Sequence, residues 1–181
     1  MYKSTQISGR ERALADLFRR TFTDSEGEAE GRLIGDLVRQ LLDTTASEEL
    51  RLFTIDQTHE SAPLAAAIFT RLVYSEDARV VFLLSPVAVR TDHQGQGIGK
   101  DLLSDALRTL KAEGVDVVVT YGDPAFYGQL GFRPVSTFTL PAPFDLSQPM
   151  GWLAVALDGK PIHPLAGAVH CVEAMNRPDV W

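Results

Sequence analysis

Gln94-Gly95-Gln96-Gly97-Ile98-Gly99-Lys100 stands between the apolar run Val80–Val89 and the helix-like run Leu102-Leu103-Ser104-Asp105-Ala106-Leu107. A strand, a glycine-rich turn and a helix start, in that order, build an anion site. Backbone N–H groups left unpaired at the turn and in the first helical turn converge on a phosphate, and the helix dipole adds favourable potential. Two phosphate-binding patterns fail at this spacing. A P-loop places glycine five residues before its Gly-Lys pair and Ser or Thr after the lysine; Gly99-Lys100 has Gln94 and Asp101 there. The missing hydroxyl is the one that would hold magnesium. The dinucleotide pattern needs a third glycine three residues after the second. With Gly97 or Gly99 as the second glycine, that position is Lys100 or Leu102.

The spacing that fits is Gln-x-x-Gly-x-Gly, at Gln94, Gly97 and Gly99, behind Ser85-Pro86-Val87-Ala88-Val89 and ahead of Leu102-Leu103. A second block follows at Ala125-Phe126-Tyr127-Gly128-Gln129-Leu130-Gly131-Phe132, just after Gly122-Asp123-Pro124. On these two ordered motifs the chain resembles the GCN5-related N-acetyltransferase (GNAT) superfamily, in a bacterial branch of small uncharacterised acetyltransferases. The resemblance covers roughly residues 78 to 135. It implies a mixed α/β fold, one GNAT-like domain over 1–181, with a splayed central sheet flanked by helices. It also implies that Gln94, Gly95, Gln96, Gly97, Ile98, Gly99 and Lys100 hold the pyrophosphate of acetyl-coenzyme A, the co-substrate, with no metal. Gln94 is read as shaping the loop, and Lys100 as offering its backbone N–H.

Pro86 has its own physical message. Proline cannot donate to a ladder, so inside an apolar run it marks a bulge or an edge. In the family that the chain resembles, the central strand parts from its neighbour there, and the pantetheine arm pairs with it. That implies cofactor contacts from the backbone of Val87, Ala88 and Val89, with the Val87 and Val89 side chains expected in the core. The alternative is a plain edge strand capped by Pro86.

Composition fits a globular chain: 181 residues, 45% hydrophobic and 23% charged. No apolar stretch reaches 18 residues, so no transmembrane helix is expected. Met1 to Gln6 lacks the apolar segment of a secretion signal. Cys171 is the one cysteine and cannot form an internal disulfide, which suits a reducing cytoplasm. A net charge of −7 argues against a nucleic-acid partner, which calls for clustered Lys and Arg. The expected partner is a small-molecule amine or a peptide or protein amine. A splayed sheet also admits a homodimer.

Periodicity predicts the elements. Ile7 ends a first strand. Ala13, Leu14, Leu17 and Phe18 recur at helical spacing, as do Leu33, Ile34, Leu37, Val38 and Leu41. Between these helices Thr23–Glu28 reads as an acidic loop. Strands are expected over Leu50–Ile55, Leu64–Val73 and Val80–Val89, with a polar turn over Asp56–Ala62. A helix over Ile98–Leu110 ends at Gly114, placed as a C-cap glycine. Val115–Thr120 is a short strand, Pro124 starts a short helix, and Gly131-Phe132 leads into another strand. Pro141–Pro149 is irregular, Trp152–Leu157 is a final strand, and residues beyond Asp158 carry no clear pattern.

The activity implied by the resemblance is direct transfer of an acetyl group to a primary amine of an unidentified acceptor. Three tasks follow: holding the reactants in attack geometry, donating to the oxyanion from a strand N–H near Val87, and protonating the leaving thiolate. Tyr127 matches the family tyrosine placed near the sulfur, and a phenol with pKa about 10 stays protonated at neutral pH. Phe126 is expected to pack against the coenzyme or the core. The stretch Leu83-Leu84-Ser85-Pro86 has no carboxylate where many relatives carry a glutamate. Asp24, Glu26, Glu28, Ser85 or a water chain would then serve as the proton acceptor. The missing carboxylate also leaves open a second reading, a non-catalytic acetyl-coenzyme A sensor. His163, His170 and Cys171 show no metal-ligand spacing, and a Cys–His nucleophile pair is the minor reading beside an inert cysteine. His93 is read as a surface residue or an added charge near the pyrophosphate.

Overall fold

The computed structural model describes residues 3–4, 9–56 and 63–181. It is a mixed α/β structure in two compact units. The first draws on Met1–Phe69 and Pro86–Ala106, the second on Thr70–Ser85 and Leu107–Trp181.

In the first unit, helices α1 (Glu11–Glu26) and α2 (Glu28–Thr44) form an antiparallel-type hairpin joined by Gly27 alone. The apolar stripe of α1 buries Leu14, Leu17 and Phe18; that of α2 buries Ile34, Leu37, Val38 and Leu41. Glycine permits their close approach. A Cβ on Gly31 would lie 1.9 Å from Thr23 Oγ1 and 2.6 Å from the Arg19 carbonyl. The expected loop over Thr23–Glu28 is therefore corrected to a corner of one residue. Thr23–Glu26 complete α1, and Gly27, at φ 96°, donates to the Thr23 carbonyl while accepting from Gly31.

Strand β1 (Lys3–Ser4) pairs antiparallel with β2 (Leu50–Asp56). Next come β3 (Pro63–Tyr74) and β4 (Val81–Val89), in the order β1-β2-β3-β4. Phe53 and Phe69 meet edge to face at 5.5 Å beneath them. Ile7 and most of the expected polar turn, residues 57–62, lie outside the described residues.

Helix α3 (Ile98–Ala112) buries Leu102, Leu103, Ala106 and Leu110, with Ile98 and Leu107 only partly covered. Gly114, at φ 84°, ends it: its N–H donates to Lys111, and Val115 N–H donates back to Leu110.

The second unit holds β5 (Val117–Tyr121), β6 (Arg133–Pro134), β7 (Trp152–Ala156) and β8 (Val169–Cys171). The order is β3-β4-β5-β7-β6, and β8 pairs with β3. The β4–β5 pair is parallel; β5–β7, β6–β7 and β3–β8 are antiparallel. The ladder between β4 and β5 spans Val81–Leu84 against Val117–Thr120, and β4 runs on for five residues to Val89. The ladder thus ends just before Pro86, the residue at which the sequence leads one to expect the central strand to part from its neighbour. A short helix α4 (Pro124–Tyr127) follows β5, with proline at its start and Asp123 as its cap. Trp152 anchors the core here, donating through Nε1 to the Leu140 carbonyl at 2.9 Å and meeting Trp181 at 6.0 Å.

Candidate active site

Past Leu84, β4 alternates. Pro86 and Ala88 are buried, whereas Ser85, Val87 and Val89 are partly exposed. This corrects the expected parity: Val87 and Val89 turn their side chains away from the fully buried face. The carbonyl of Val89 accepts from Gln94 Nε2 at 3.0 Å and from Thr21 Oγ1 at 3.5 Å. Gln94 therefore ties the glycine loop to the end of the strand, the shaping role read for it.

The loop is held on both sides and open in the middle. A 3₁₀ turn over Thr91–His93 leads into it, with Gln94 N–H on the Thr91 carbonyl and His93 N–H on the Arg90 carbonyl. Gly95 and Gly97 lie at φ 73° and 83°, a region that L side chains rarely adopt. The Gly97 carbonyl accepts Asp101 N–H at 3.0 Å, the first bond of α3. The backbone N–H groups from Gly95 to Lys100 find no acceptor among the described residues. A Cβ on Gly95 or Gly97 would meet nothing within 4 Å. Open space over a row of free donors, at the positive end of a helix of four turns, fits a diphosphate. Gln96 and Lys100 are exposed, and Ile98 and Gly99 partly so.

Beside the loop, within the same unit, lies a cavity of about 590 Å³ lined by Asp16, Arg20, Thr21, Asp24, Pro63 and Arg90–Asp92, among others. Asp24 Oδ2 accepts from Thr91 Oγ1 at 2.6 Å. Of the three first-loop acids, Asp24 alone lines this cavity; Glu28 lies 3.7 Å from Arg32. Glu30 carries no motif, yet burial and the neighbouring Glu26 push its carboxyl up. His93 places Nδ1 2.8 Å from the Asp92 carboxylate without hydrogen-bond alignment.

Tyr127 sits in the second unit. Its ring lies close to Gly122, where a Cβ would come within 2.6 Å of Cε2. It meets Phe126 and Phe132 edge to face at 5.0 and 5.6 Å. Burial pushes its phenol up, while Thr120 draws it down. Thr120 itself is fully buried and donates to the Leu84 carbonyl at 2.9 Å. Phe126 is partly exposed.

The remaining candidates are structural. Burial pushes the Cys171 thiol up, the opposite of an activated nucleophile. The His163 carbonyl accepts from Arg79, and His170 pairs with Val73 in the sheet. Among the described residues no His, Cys, Asp and Glu cluster could hold a metal, and no helix is long and apolar enough to cross a membrane.

Residues 52–134 match the model of the acetyltransferase (GNAT) domain. That segment, a little under half of the chain, is similar to the GNAT acetyltransferases. The similarity supports an acyltransferase whose co-substrate is acetyl-coenzyme A. The uncharacterised N-acetyltransferase YjhQ of Escherichia coli is 27% identical over 157 residues, covering 81% of this chain and 84% of that protein. The uncharacterised N-acetyltransferase YhbS of the same species is 32% identical over 118 residues, covering 65% and 64%. A crystal structure of the E. coli GNAT protein YhbS with coenzyme A shares the fold at TM-score 0.74 and 23% identity, covering 98% of this chain and 92% of that one. A GNAT acetyltransferase from Brucella melitensis, solved with acetyl-coenzyme A, does so at TM-score 0.67 and 20% identity, covering 96% of each.

Proposed function

We propose that this GNAT acetyltransferase moves the acetyl group of acetyl-coenzyme A directly to a primary amine of a small molecule, peptide or protein. The carrying observation is the row of unpaired backbone donors from Gly95 to Lys100 at the start of α3. In this reading Gly95, Gln96, Gly97, Ile98, Gly99 and Lys100 hold the diphosphate. Gln94 braces their loop, and Val87, Ala88 and Val89 offer strand amides and carbonyls to the arm. The thioester supplies an activated acyl carbon. Tyr127, neutral at working pH, donates its Oη proton to the departing sulfur, and Phe126 supports its ring. No carboxylate stands on β4, so the amine's proton leaves through Asp24, Ser85 or water. The resemblance to the GNAT family supports one GNAT-like domain over residues 1–181. A reducing cytoplasm suits the single cysteine.

The test is release of free coenzyme A thiol from acetyl-coenzyme A across a panel of amines. Amine-dependent thiol release supports the reading. Tight binding with no release on any amine would favour the sensor reading, which the carboxylate-free β4 supports.

A further inference from the structure

The cavity beside the glycine loop carries charges that its own bonds do not use. It lies within the first unit, between the α1 face that bears Asp16, Arg20 and Asp24 and the segment Arg90–Asp92. Its volume of about 590 Å³ is that of a small-molecule pocket. Two of its carboxylates are engaged. Asp92 accepts from Arg90 through Nε at 3.2 Å and Nη2 at 2.8 Å, and Asp24 accepts from Thr91 Oγ1 at 2.6 Å. Asp16 and Arg20 differ: neither side chain has a hydrogen-bond or ion-pair partner among the described residues. An acid four residues before a base on a helix is the spacing that ordinarily pairs. Here the two line the cavity without meeting, and Asp16 is partly buried.

A carboxylate and a guanidinium that stand unpaired one helical turn apart complement a ligand bearing both opposite charges. We propose that this cavity binds a free α-amino acid with an aliphatic side chain, as its zwitterion. The ammonium goes to Asp16. The carboxylate goes to Arg20, whose planar fork takes a carboxylate through two N–H groups. Side chains at this spacing start about 5–6 Å apart, which suits two charges carried on one α-carbon. A diamine or a diacid would set one of its charges against its own sign. Leu17 and Pro63, both buried, add an apolar wall for the aliphatic side chain. Thr91 and Asp92, in the turn that leads into the glycine loop, form part of the same lining. The amino-acid site requires no step of the acetyl transfer proposed above.

Titration calorimetry of the full chain near neutral pH with L-leucine, L-leucinamide and N-acetyl-L-leucine tests the site. Wild type should bind L-leucine saturably, one to one. Leucinamide lacks the carboxylate and N-acetyl-leucine the ammonium, so each should bind about tenfold more weakly, the scale of one hydrogen bond to a charged group. Arg20→Gln should weaken L-leucine about tenfold and erase its advantage over leucinamide. Asp16→Asn should weaken it as much and erase its advantage over N-acetyl-leucine. Both variants should keep the circular dichroism of wild type and its acetyl-coenzyme A affinity. No saturable heat with L-leucine, equal affinity for the three compounds, or undiminished L-leucine binding in both variants would overturn the proposal. So would loss of acetyl-coenzyme A affinity in the folded variants, which would move these charges into the cofactor's own site.

Discussion

Gly97 closes the loop and opens α3 in one residue. Its φ of 83° strains any L side chain, by roughly 1–2 kcal/mol, yet its Cβ direction is empty. Gly97→Glu should therefore fold and lose acetyl-coenzyme A affinity by at least tenfold, because a carboxylate enters the space above the donors. Circular dichroism and titration calorimetry check both halves. Gly122 makes the reverse case, with an ordinary φ and no room. Gly122→Ala drives a methyl into the Tyr127 ring, so kcat should fall several-fold while acetyl-coenzyme A affinity stays within twofold. The glycine loop was legible because its chemistry lies in consecutive residues. The seat of Tyr127 was not, because Gly122, Thr120 and Phe132 reach it through turns and a strand register that spacing alone does not reveal.

Among elements, the α1–α2 hairpin depends on two glycines on one face. Gly31→Ala should destabilise the fold by about 1–3 kcal/mol, since the added methyl meets Thr23 Oγ1 and the Arg19 carbonyl, read as a fall in the urea midpoint. Helix α4 has four residues and depends on its cap: Asp123 Oδ1 accepts Ala125 N–H at 2.8 Å. Asp123→Ala should cost about 1 kcal/mol in thermal unfolding. The strands and α3 were readable because burial prints period 2 or 3.6 on the chain. The α1–α2 corner is not legible because Asp24–Glu26 are polar, exposed helix residues, and an acidic run beside glycine looks like a loop. The side-chain parity of Val87 and Val89 was hidden because Val81–Leu84 are buried on both faces and carry no alternation. Strand β8, three residues long, depends on its register with Leu72–Tyr74, a partner almost a hundred residues away.

For the whole molecule, the late chain is tied down by a charged strut. Asp77 accepts from Arg79 Nη2 at 2.6 Å, and Arg79 donates to the carbonyls of His163 and Pro164 at 2.8 and 2.9 Å. The Arg79 hydrogen bond holds the Asp77 carboxyl down to about 2. A carboxyl held below its unfolded value of about 3.9 stabilises the fold above that pH and loses the contribution as pH falls toward 2. Wild type should thus be more stable than Asp77→Asn at pH 5, with the gap in Tm shrinking by pH 2; a constant gap would assign the strut no role in acid unfolding. The segment after Asp158 was unreadable in sequence because this strut and Trp181, buried against Trp152, set its path.

The proposed activity stands on main-chain donors from Gly95 to Lys100 gripping the diphosphate of acetyl-coenzyme A. Equilibrium dialysis of folded wild type and folded Gly97→Glu against labelled acetyl-coenzyme A tests it most directly. Wild type should retain the ligand saturably, one to one, and the variant at least tenfold more weakly. Equal retention by both, or none by wild type, would contradict it.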